Sequence, residues 1–343
     1  MSGLKAAVDL HKLPDVSDIS PETITGSVHA INAFCADPRQ KFIMERLVTH
    51  LHAVVSETNL TTQEWMTAIQ FLTRVGQTCT PIRQEFILLS DVLGVSALVD
   101  SINHPRVQGS TENTVLGPFF TTDAADGQFL NQEYAESSGS ASTDDPPTHI
   151  VDHGQSIASE GKGEYMYVQG KLTNTAGEPV ANAKIETWET DGQGLYDTQY
   201  EGREAPDCRG RLKSREDGTF AYRAVVPVAY PIPEDGPVGD LLKLLGRHNY
   251  RPAHLHIMIE APGYETITTA LYPEGDPYLA TDAVFGVKKS LIVKLTEVQS
   301  DEEAKAKGFK KGPFKLLKHD FMLVKHEEAA AARAERAAKT TPS

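Results

Sequence analysis

The amino-acid sequence predicts a mainly β protein in which an antiparallel β-sandwich follows an N-terminal α-helical domain. Three observations lead to this fold class. Apolar residues recur at three- and four-residue spacing up to about residue 105. Beyond Gly109, short alternating or β-branched segments replace that pattern. Glycine and proline also become more frequent there, and 343 residues are enough for two domains.

The helical pattern is clearest between Asp37 and Glu57, where apolar side chains share one face. These side chains are Ile43, Leu47, Leu51 and Val54. Thr61 precedes Glu64 by three residues, which is the spacing of a capping box and predicts the start of another helix. We assign residues 1–108 to this helical domain.

Residues 109–325 contain the predicted strands of the sandwich, and turn residues such as AGEP at 176–179 separate them. Short strands bounded by turns are typical of an antiparallel sandwich or barrel. The predicted strands are Tyr165–Lys171, Ala183–Glu189, Thr219–Val226, His254–Ile259 and Ser290–Leu295. Residues 326–343 are alanine-rich and charged without an apolar stripe, which predicts a flexible C-terminal tail.

The charge and cysteine content narrow the possible partners and the compartment. The formal net charge of −14 repels phosphate backbones, so nucleic-acid binding is not expected. Cys35, Cys79 and Cys208 are far apart in the sequence, as in proteins of a reducing compartment. The N-terminal residues lack a signal-peptide core, and no apolar run approaches the ~18 residues of a membrane span. We therefore expect a cytoplasmic protein.

The segment RPAHLH places His254 and His256 two residues apart in a predicted strand. Side chains at this spacing point to the same face, so the two imidazoles form a possible half-site for a metal. Further ligands could be carboxylates, as in a facial triad, or tyrosines. Tyr196 lies in DGQGLYD and Tyr230 in PVAYPIPEDGP, both in segments whose glycine and proline content favours loops.

These motifs together resemble the intradiol ring-cleavage dioxygenases, in which two tyrosines precede His-x-His along the chain. The resemblance extends over about residues 30–300. It includes the segments ENTVLGPFF, GEPVANAKIETWETDGQGLYD, RGRLKSREDGTFAYRAVVP, YPIPEDGPVG and RPAHLHIMIEAPGYETITT. It implies a β-sandwich catalytic domain that holds one non-haem Fe(III) ion per subunit. The implied ligands are Tyr196, Tyr230, His254 and His256.

The ligand types agree with ferric chemistry, because phenolate is a hard anionic donor that favours iron(III). Such an iron withdraws electron density from a chelated diol, so that a ring carbon reacts with O2. The resemblance assigns catalytic roles to Tyr230, which leaves the metal when substrate chelates, and to Arg251, which lies over the substrate ring. Arg251 can do so only if the chain turns at Pro252. The alternative for Arg251 is an ion pair with one of the many carboxylates.

Within the family, the sequence is most similar to the enzymes that cleave hydroxyquinol (1,2,4-trihydroxybenzene). By resemblance, the substrate pocket is lined by Leu88, Asp91, Val115, Leu116, Gly117, Pro118, Phe119, Ile232, Pro233, Arg251 and Val284. A carboxylate in an apolar pocket needs a hydrogen-bond donor, which a third ring hydroxyl would provide to Asp91. The alternative for Asp91 is a solvated or capping position on a helix. Catechol-cleaving relatives tend to have a polar side chain where this sequence has Ala270.

The predicted activity is therefore cleavage of hydroxyquinol to 3-hydroxy-cis,cis-muconate, the tautomer of maleylacetate. One alternative is a catechol 1,2-dioxygenase that yields cis,cis-muconate. A second is a non-catalytic transthyretin-like binding module, which the segment GKLTNTAGEPVANAKIE resembles. The predicted partners are a small aromatic diol or triol and O2. The family also implies a homodimer formed through the N-terminal helices, which serve as a dimerisation (linker) domain, with a phospholipid at the interface.

Overall fold

The structure is a computed structural model that describes residues 18–80, 83–120, 149–202 and 205–340. The chain divides into two compact units, residues 1–73 and residues 74–343. The boundary lies inside a helix, Thr62–Thr78. The two helices that follow it therefore belong to the larger unit. The functional division predicted at residue 108 stays a prediction.

The smaller unit contains α1 (Ile24–Asn32), α2 (Pro38–Thr58) and most of α3 (Thr62–Thr78). The predicted capping box at the start of α3 is present, since the Glu64 carboxylate accepts from the Thr61 backbone N–H at 2.9 Å. The backbone N–H of Glu64 in turn donates to the Thr61 hydroxyl at 3.3 Å. Large apolar side chains on these helices are exposed, including Leu47, Leu51, Val54, Trp65 and Leu72.

The described helices of the larger unit are short, apart from the last. They are α4 (Glu85–Val92), α5 (Val95–Asn103), α6 (Pro237–Leu244), α7 (Asp301–Ala306) and α8 (His326–Thr340). None of the helices in the described ranges is both long and apolar enough to cross a membrane. The prediction of a cytoplasmic protein stays a prediction.

Two five-stranded sheets form the sandwich. One contains β1 (Tyr165–Asn174), β4 (Thr219–Val225), β10 (Leu295–Val298), β11 (Phe314–Lys318) and β12 (Phe321–Leu323). The other has the order β3-β2-β7-β8-β9, built from Arg209–Lys213, Lys184–Glu189, Leu255–Glu260, Ile267–Pro273 and Ile292–Val293. A separate ribbon pairs β5 (Tyr230–Pro231) with β6 (Tyr250–Arg251).

The core lies between the inner faces of the two sheets. Met166, Val168 and Leu172 of β1 pack there with Leu255, Ile257 and Ile259 of β7. Alternate residues of each strand supply the core, so the residues between them point outward. Phe220, Tyr222 and Leu317 complete the first sheet's contribution. The site described below occupies the outer face of the second sheet.

The prediction of a strictly antiparallel sandwich is wrong, because the sheets are mixed. Strand β1 pairs parallel with β11 and with β12, and β8 pairs parallel with β9. Parallel neighbours need a long connection, and the chain provides one in each case. Residues 274–291 connect β8 to β9, whereas β11 and β12 return to β1 from the far end of the chain.

A helix occupies most of the segment for which the sequence predicted a flexible tail. In α8, the Arg333 guanidinium binds the Glu265 carboxylate through two hydrogen bonds of 3.0 and 3.2 Å. The Ala329 side chain is buried, and Arg336 donates to the backbone carbonyl of Ser101 at 3.2 Å. Alanine has the highest helix propensity, so the composition suits a helix that docks through ion pairs and small side chains.

Candidate metal centre and substrate site

Strand β7 directs His256 to the outer face of its sheet, because Leu255 and Ile257 on either side face the core. The neighbouring strands place Trp188 and Ala270 directly opposite His256. The Trp188 indole stacks on the His256 imidazole with ring centroids 4.7 Å apart and planes 6° apart. The stacked Trp188 ring and the pairing of β7 with β2 and β8 therefore restrict the position of the imidazole.

The two tyrosines come from segments on either side of β3 and β4. Tyr196 precedes a short 3₁₀ turn, and its backbone N–H donates to the Gln199 side chain at 2.8 Å. The Phe119 ring stacks on the Tyr196 ring, with centroids 4.3 Å apart. Tyr230 lies on β5, where its partner in the ribbon is Arg251 of β6.

The structure brings the four predicted ligands together in a buried cluster. The Tyr196 hydroxyl lies 3.2 Å from the Tyr230 hydroxyl and 3.2 Å from Nε2 of His254. The Nε2 atoms of His254 and His256 are 2.9 Å apart. Each of the four side chains is at most 4% exposed. Four polar atoms thus face one another in a space that bulk water does not reach.

Both imidazoles are neutral in this environment. Burial and then the Arg251 cation lower the pKa of His254 to about 3. Burial and the neighbouring His254 lower the pKa of His256 well below its usual value. Nδ1 of His254 lies 2.8 Å from the Pro252 carbonyl, which accepts only if Nδ1 carries the proton. Nε2 of His254 therefore presents a lone pair to the cluster.

The spacing of these atoms fits one small metal ion. Donor atoms that each lie about 2.0–2.2 Å from one ion are about 3 Å from one another, as observed here. Burial raises the pKa of Tyr196 well above its usual value, so a phenolate needs a nearby cation. The described residues contain no group of three or more His, Cys, Asp or Glu side chains suited to a metal. The described residues therefore offer no carboxylate triad, and the two tyrosines stay the predicted ligands that would complete the donor set.

Arg251 lies beside this cluster, since the chain turns between the end of β6 at Arg251 and the start of β7 at Leu255. Its Nη1 is 3.2 Å from Nε2 of His254 and 3.4 Å from the Tyr230 hydroxyl. Nε of Arg251 donates to the Asp282 carboxylate at 3.2 Å. The ion pair that was the alternative role for Arg251 therefore exists, and it lies within the site.

The Arg251–Asp282 pair is buried, with both side chains 2% exposed. Burial opposes the charge of Arg251, but Asp282 and the nearby tyrosines raise the pKa of the guanidinium above its usual value. Burial would likewise raise the pKa of Asp282, but Arg251 holds it below the usual value. Asp282 also accepts from the backbone N–H groups of Val284 and Gly286. The carboxylate thus fixes both the cation and the loop that carries Val284.

Gly286 leaves room for the Arg251 guanidinium. A Cβ atom at this position would lie 2.9 Å from Nη2 of Arg251 and 2.9 Å from the Tyr272 hydroxyl. It would also lie 3.1 Å from the Asp282 carboxylate. Real Cβ atoms essentially never approach other atoms within 3.0 Å, so a side chain at 286 would displace Arg251.

Asp91 lies in α4 and is 9% exposed, so the solvated position considered for it is wrong. Burial raises the pKa of its carboxyl to about 6, while a hydrogen bond with Ser96 and the charge of Arg251 oppose that rise. At neutral pH the group is mainly a carboxylate, which only accepts hydrogen bonds. The charge of Arg251 lowers the pKa of Asp91, and that of Asp282 raises it.

The remaining predicted pocket residues differ in burial and in how close they lie to the cluster of tyrosines and histidines. Gly117 adjoins the His256 ring, since a Cβ atom there would lie 3.5 Å from Cε1 of His256. Ile232 and Val284 are buried. Half-buried side chains are Leu88, Val115 and Leu116, and exposed ones are Pro118 and Pro233. The place of all the predicted pocket residues in a substrate pocket stays a prediction.

Sequence reasoning missed several side chains that hold the site. Arg209 donates to Asp197, next to Tyr196, at 2.9 Å and to the Phe119 carbonyl at 2.8 Å. It therefore joins the Tyr196 segment to the 117–120 segment. Asp282 was also missed, although a buried arginine requires a carboxylate and the sequence provides an isolated aspartate in LATDAVFG.

Nδ1 of His256 has no hydrogen-bond partner among the described residues, and neither does Nε1 of Trp188. Ala270, the cross-strand neighbour of His256, has no polar atom in its side chain. The polar contact that the sequence comparison with catechol-cleaving relatives suggested at position 270 is therefore absent from the described residues.

Comparison with known proteins identifies the family. Residues 37–111 match the family model described as the catechol dioxygenase N terminus, and residues 140–322 match that described as dioxygenase. An intradiol ring-cleavage dioxygenase of Aspergillus niger is 47% identical over 94% of this chain and 90% of its own length. A hydroxyquinol 1,2-dioxygenase of Rhizobium is 43% identical over 90% of this chain and 96% of its own length.

A solved structure agrees with these matches. The hydroxyquinol 1,2-dioxygenase of Pseudomonas putida DLL-E4 superposes with a TM-score of 0.78 at 40% identity, covering 89% of this chain and 99% of that chain. The matches favour an enzyme over the non-catalytic binding module that the sequence left open. They also agree with the donor set above, because the family generally depends on non-haem iron(III). The chain belongs to the family of intradiol ring-cleavage dioxygenases.

Proposed function

We propose that this chain is a hydroxyquinol 1,2-dioxygenase, which uses O2 to cleave the ring between the two adjacent hydroxyl-bearing carbons. The product is 3-hydroxy-cis,cis-muconate, the tautomer of maleylacetate. One observation carries the proposal: the buried tyrosine and histidine donors lie beside a buried arginine, and a buried carboxylate, Asp91, interacts with that arginine. The similarity to hydroxyquinol 1,2-dioxygenases supports the choice of substrate.

Tyr196, Tyr230, His254 and His256 hold one Fe(III) ion per subunit in this proposal. The ion would serve as a Lewis acid that the two adjacent hydroxyls chelate, and it would withdraw electron density from the ring so that a ring carbon can react with O2. The buried tyrosines supply anionic charge that favours the ferric state. Because the Pro252 carbonyl accepts the Nδ1 proton of His254, the Nε2 lone pair of His254 would be free to bind the ion.

Tyr230 and Arg251 act on the substrate. Tyr230 would be the ligand that the diol replaces, and its phenolate oxygen would then accept one of the two substrate protons. Arg251 stabilises the negative charge that develops on the ring, and Asp282 holds its guanidinium in place before substrate arrives. Because the pair is already formed and buried, little reorganisation is needed when the charge develops.

Asp91 distinguishes hydroxyquinol from catechol in this proposal. A buried carboxylate without a donor is unfavourable, and the third ring hydroxyl donates to it. Catechol lacks that hydroxyl, so the buried carboxylate would keep only its hydrogen bond with Ser96. A catechol 1,2-dioxygenase of Candida albicans is 33% identical over 78% of this chain. Catechol cleavage is therefore the alternative against which the proposal is tested.

Replacement of Asp91 tests the substrate. We expect Asp91→Ala to lower kcat/KM for hydroxyquinol by about ten- to a hundred-fold, the worth of a hydrogen bond to a charged group. Turnover of catechol should change much less. Initial rates of O2 consumption on both diols measure this, with Asp240→Asn on the exposed surface as the control. Wild-type turnover of catechol equal to or better than that of hydroxyquinol contradicts the proposed substrate.

Metal analysis and colour test the centre. The purified protein should contain about one iron per chain and absorb visible light, because phenolate bound to iron(III) has a charge-transfer band. Tyr230→Phe should shift this band, whereas Tyr264→Phe, at a tyrosine that contacts Asn174, should leave it unchanged. A colourless protein that contains zinc and no iron would rule out the centre.

Gly286 tests the position of Arg251. We expect Gly286→Ala to lower kcat by about ten- to a hundred-fold, because a displacement near 1 Å of a catalytic group has an effect of this size. The iron content should not change. Gly26→Ala is the matched control, since a Cβ atom there meets nothing within 4 Å. Full activity of Gly286→Ala would mean that Arg251 does not need its present position.

We also propose that the chain forms a homodimer through residues 20–105 and holds a phospholipid at the interface. The exposed apolar side chains of α2 support this, since Leu47 is 47% and Leu51 56% exposed. Faces of this kind mark association sites. Light scattering should give twice the mass of one chain, and Leu51→Asp should shift it toward one chain while Gln40→Asp does not. A single-chain mass for the wild type contradicts the dimer, and organic extracts without lipid contradict the phospholipid.

A further inference from the structure

The proposed function requires two charged groups to act on one rigid substrate. Asp91 must meet the third hydroxyl while Arg251 lies over the ring, so the distance between them decides which ring fits. Asp91 is the second-to-last residue of α4, and Arg251 lies on β6. These elements are far apart in the sequence. Something must therefore hold the end of α4 against the strand that carries Arg251.

Arg247 makes this connection. Its Nη1 donates to the backbone carbonyl of Val92 at 2.6 Å, and its Nη2 donates to that of Ala283 at 3.0 Å. Val92 follows Asp91, and Ala283 follows Asp282. The planar guanidinium of Arg247 therefore joins the backbone next to Asp91 to the backbone next to Asp282, the carboxylate that binds Arg251.

The backbone of Arg247 is itself fixed by the end of α6. Gly246 adopts a left-handed conformation with φ of 65°, and the backbone N–H of Arg247 donates to the Leu242 carbonyl at 2.9 Å. This is the hydrogen-bond pattern of a Schellman motif, which ends a helix in a defined direction. The backbone from which the Arg247 side chain extends is consequently fixed.

A second contact joins the same two segments. Phe285 has a φ of 58°, an unfavourable conformation for a bulky residue, and its ring is 52% exposed. The Arg247 guanidinium lies over this ring at 5.1 Å from its centroid. The ring also lies near Gly94, in the turn after α4, where a Cβ atom would lie 3.4 Å from the ring. Phe285 is therefore close to both Arg247 and the turn between α4 and α5.

The loop of residues 282–286 is also bound to β6. The backbone N–H of Ala283 donates to the Tyr250 carbonyl at 3.2 Å, and Asp282 binds the Arg251 guanidinium. A continuous set of contacts therefore leads from Asp91 through Arg247 to Arg251. Both hydrogen bonds come from the Arg247 guanidinium, so truncation of this side chain removes both and leaves the contact between Phe285 and Gly94.

We propose that Arg247 is a positioning residue for substrate selectivity, which sets the spacing between Asp91 and Arg251. Arg247 touches neither substrate nor metal. It acts through the end of α4 and the 282–286 loop. The inference rests on the proposed function, because it takes Asp91 as the group that selects a triol over a diol.

The experiment compares Arg247→Met, Arg247→Lys and wild type on hydroxyquinol and catechol. We expect Arg247→Met to lower the ratio of kcat/KM for hydroxyquinol to that for catechol by about ten-fold, mostly through KM. Arg247→Lys should lower it by about three-fold, because an ammonium on one stem reaches one of the two carbonyls. Anaerobic titration of the visible band with each diol should show the same change in Kd.

Three controls separate this role from a general structural one. Iron content and the visible band of the substrate-free protein should equal those of wild type in both Arg247 variants. Arg74→Met removes an exposed arginine that pairs with Asp240 and should leave the selectivity ratio unchanged. In an Asp91→Ala background, Arg247→Met should have little further effect on the ratio, because it acts through Asp91.

The outcomes distinguish this inference from the proposed function. An unchanged selectivity ratio in both Arg247 variants overturns the inference, whichever diol the wild type prefers. Loss of iron in both variants, or an undiminished effect in the Asp91→Ala background, also overturns it. Wild-type preference for catechol overturns the proposed function instead.

Discussion

The position of β7 determines the position of the site. This strand pairs with β2 and β8 at its two edges, and one of its faces packs in the hydrophobic core. Leu255, Ile257 and Ile259 must face inward, so His256 must face outward. Because β2 and β8 occupy the edges, the row Trp188, His256, Ala270 is fixed by register. A slip of one residue would exchange His256 with a core leucine or isoleucine, so the fold cannot form without placing this imidazole.

The site must also balance the positive charges of the Arg251 guanidinium and the proposed metal ion. The buried guanidinium of Arg251 lies close to a cluster proposed to hold a trivalent cation, and two such charges repel in a medium of low dielectric. Asp282 balances the guanidinium directly, and two phenolates would balance much of the charge of the ion. Neutral imidazoles add no charge. The arrangement explains why tyrosines and a carboxylate occur among otherwise apolar surroundings.

From the sequence we predicted the four side chains that the structure brings together, but not the residues that hold them in place. His254 and His256 are two residues apart, and the tyrosines lie in segments with marked glycine and proline content. Asp282, Arg209 and Arg247 act through partners distant in sequence, and only the fold shows which carboxylate or carbonyl each one meets. Strand direction was misjudged for the same reason. The alternating pattern of β1 shows its two faces but not the direction of β11 and β12 beside it.

The pairing of β1 with the last strands has a consequence for how the chain is made. Strand β1 can pair with β4 soon after both leave the ribosome, but its other edge awaits residues 314–323. Until then an edge with free backbone donors and acceptors stays open to other chains. Pairings between residues so distant in sequence also slow folding. Between the synthesis of β1 and that of residues 314–323, this edge therefore lacks its native partners and is open to strand pairing with other chains.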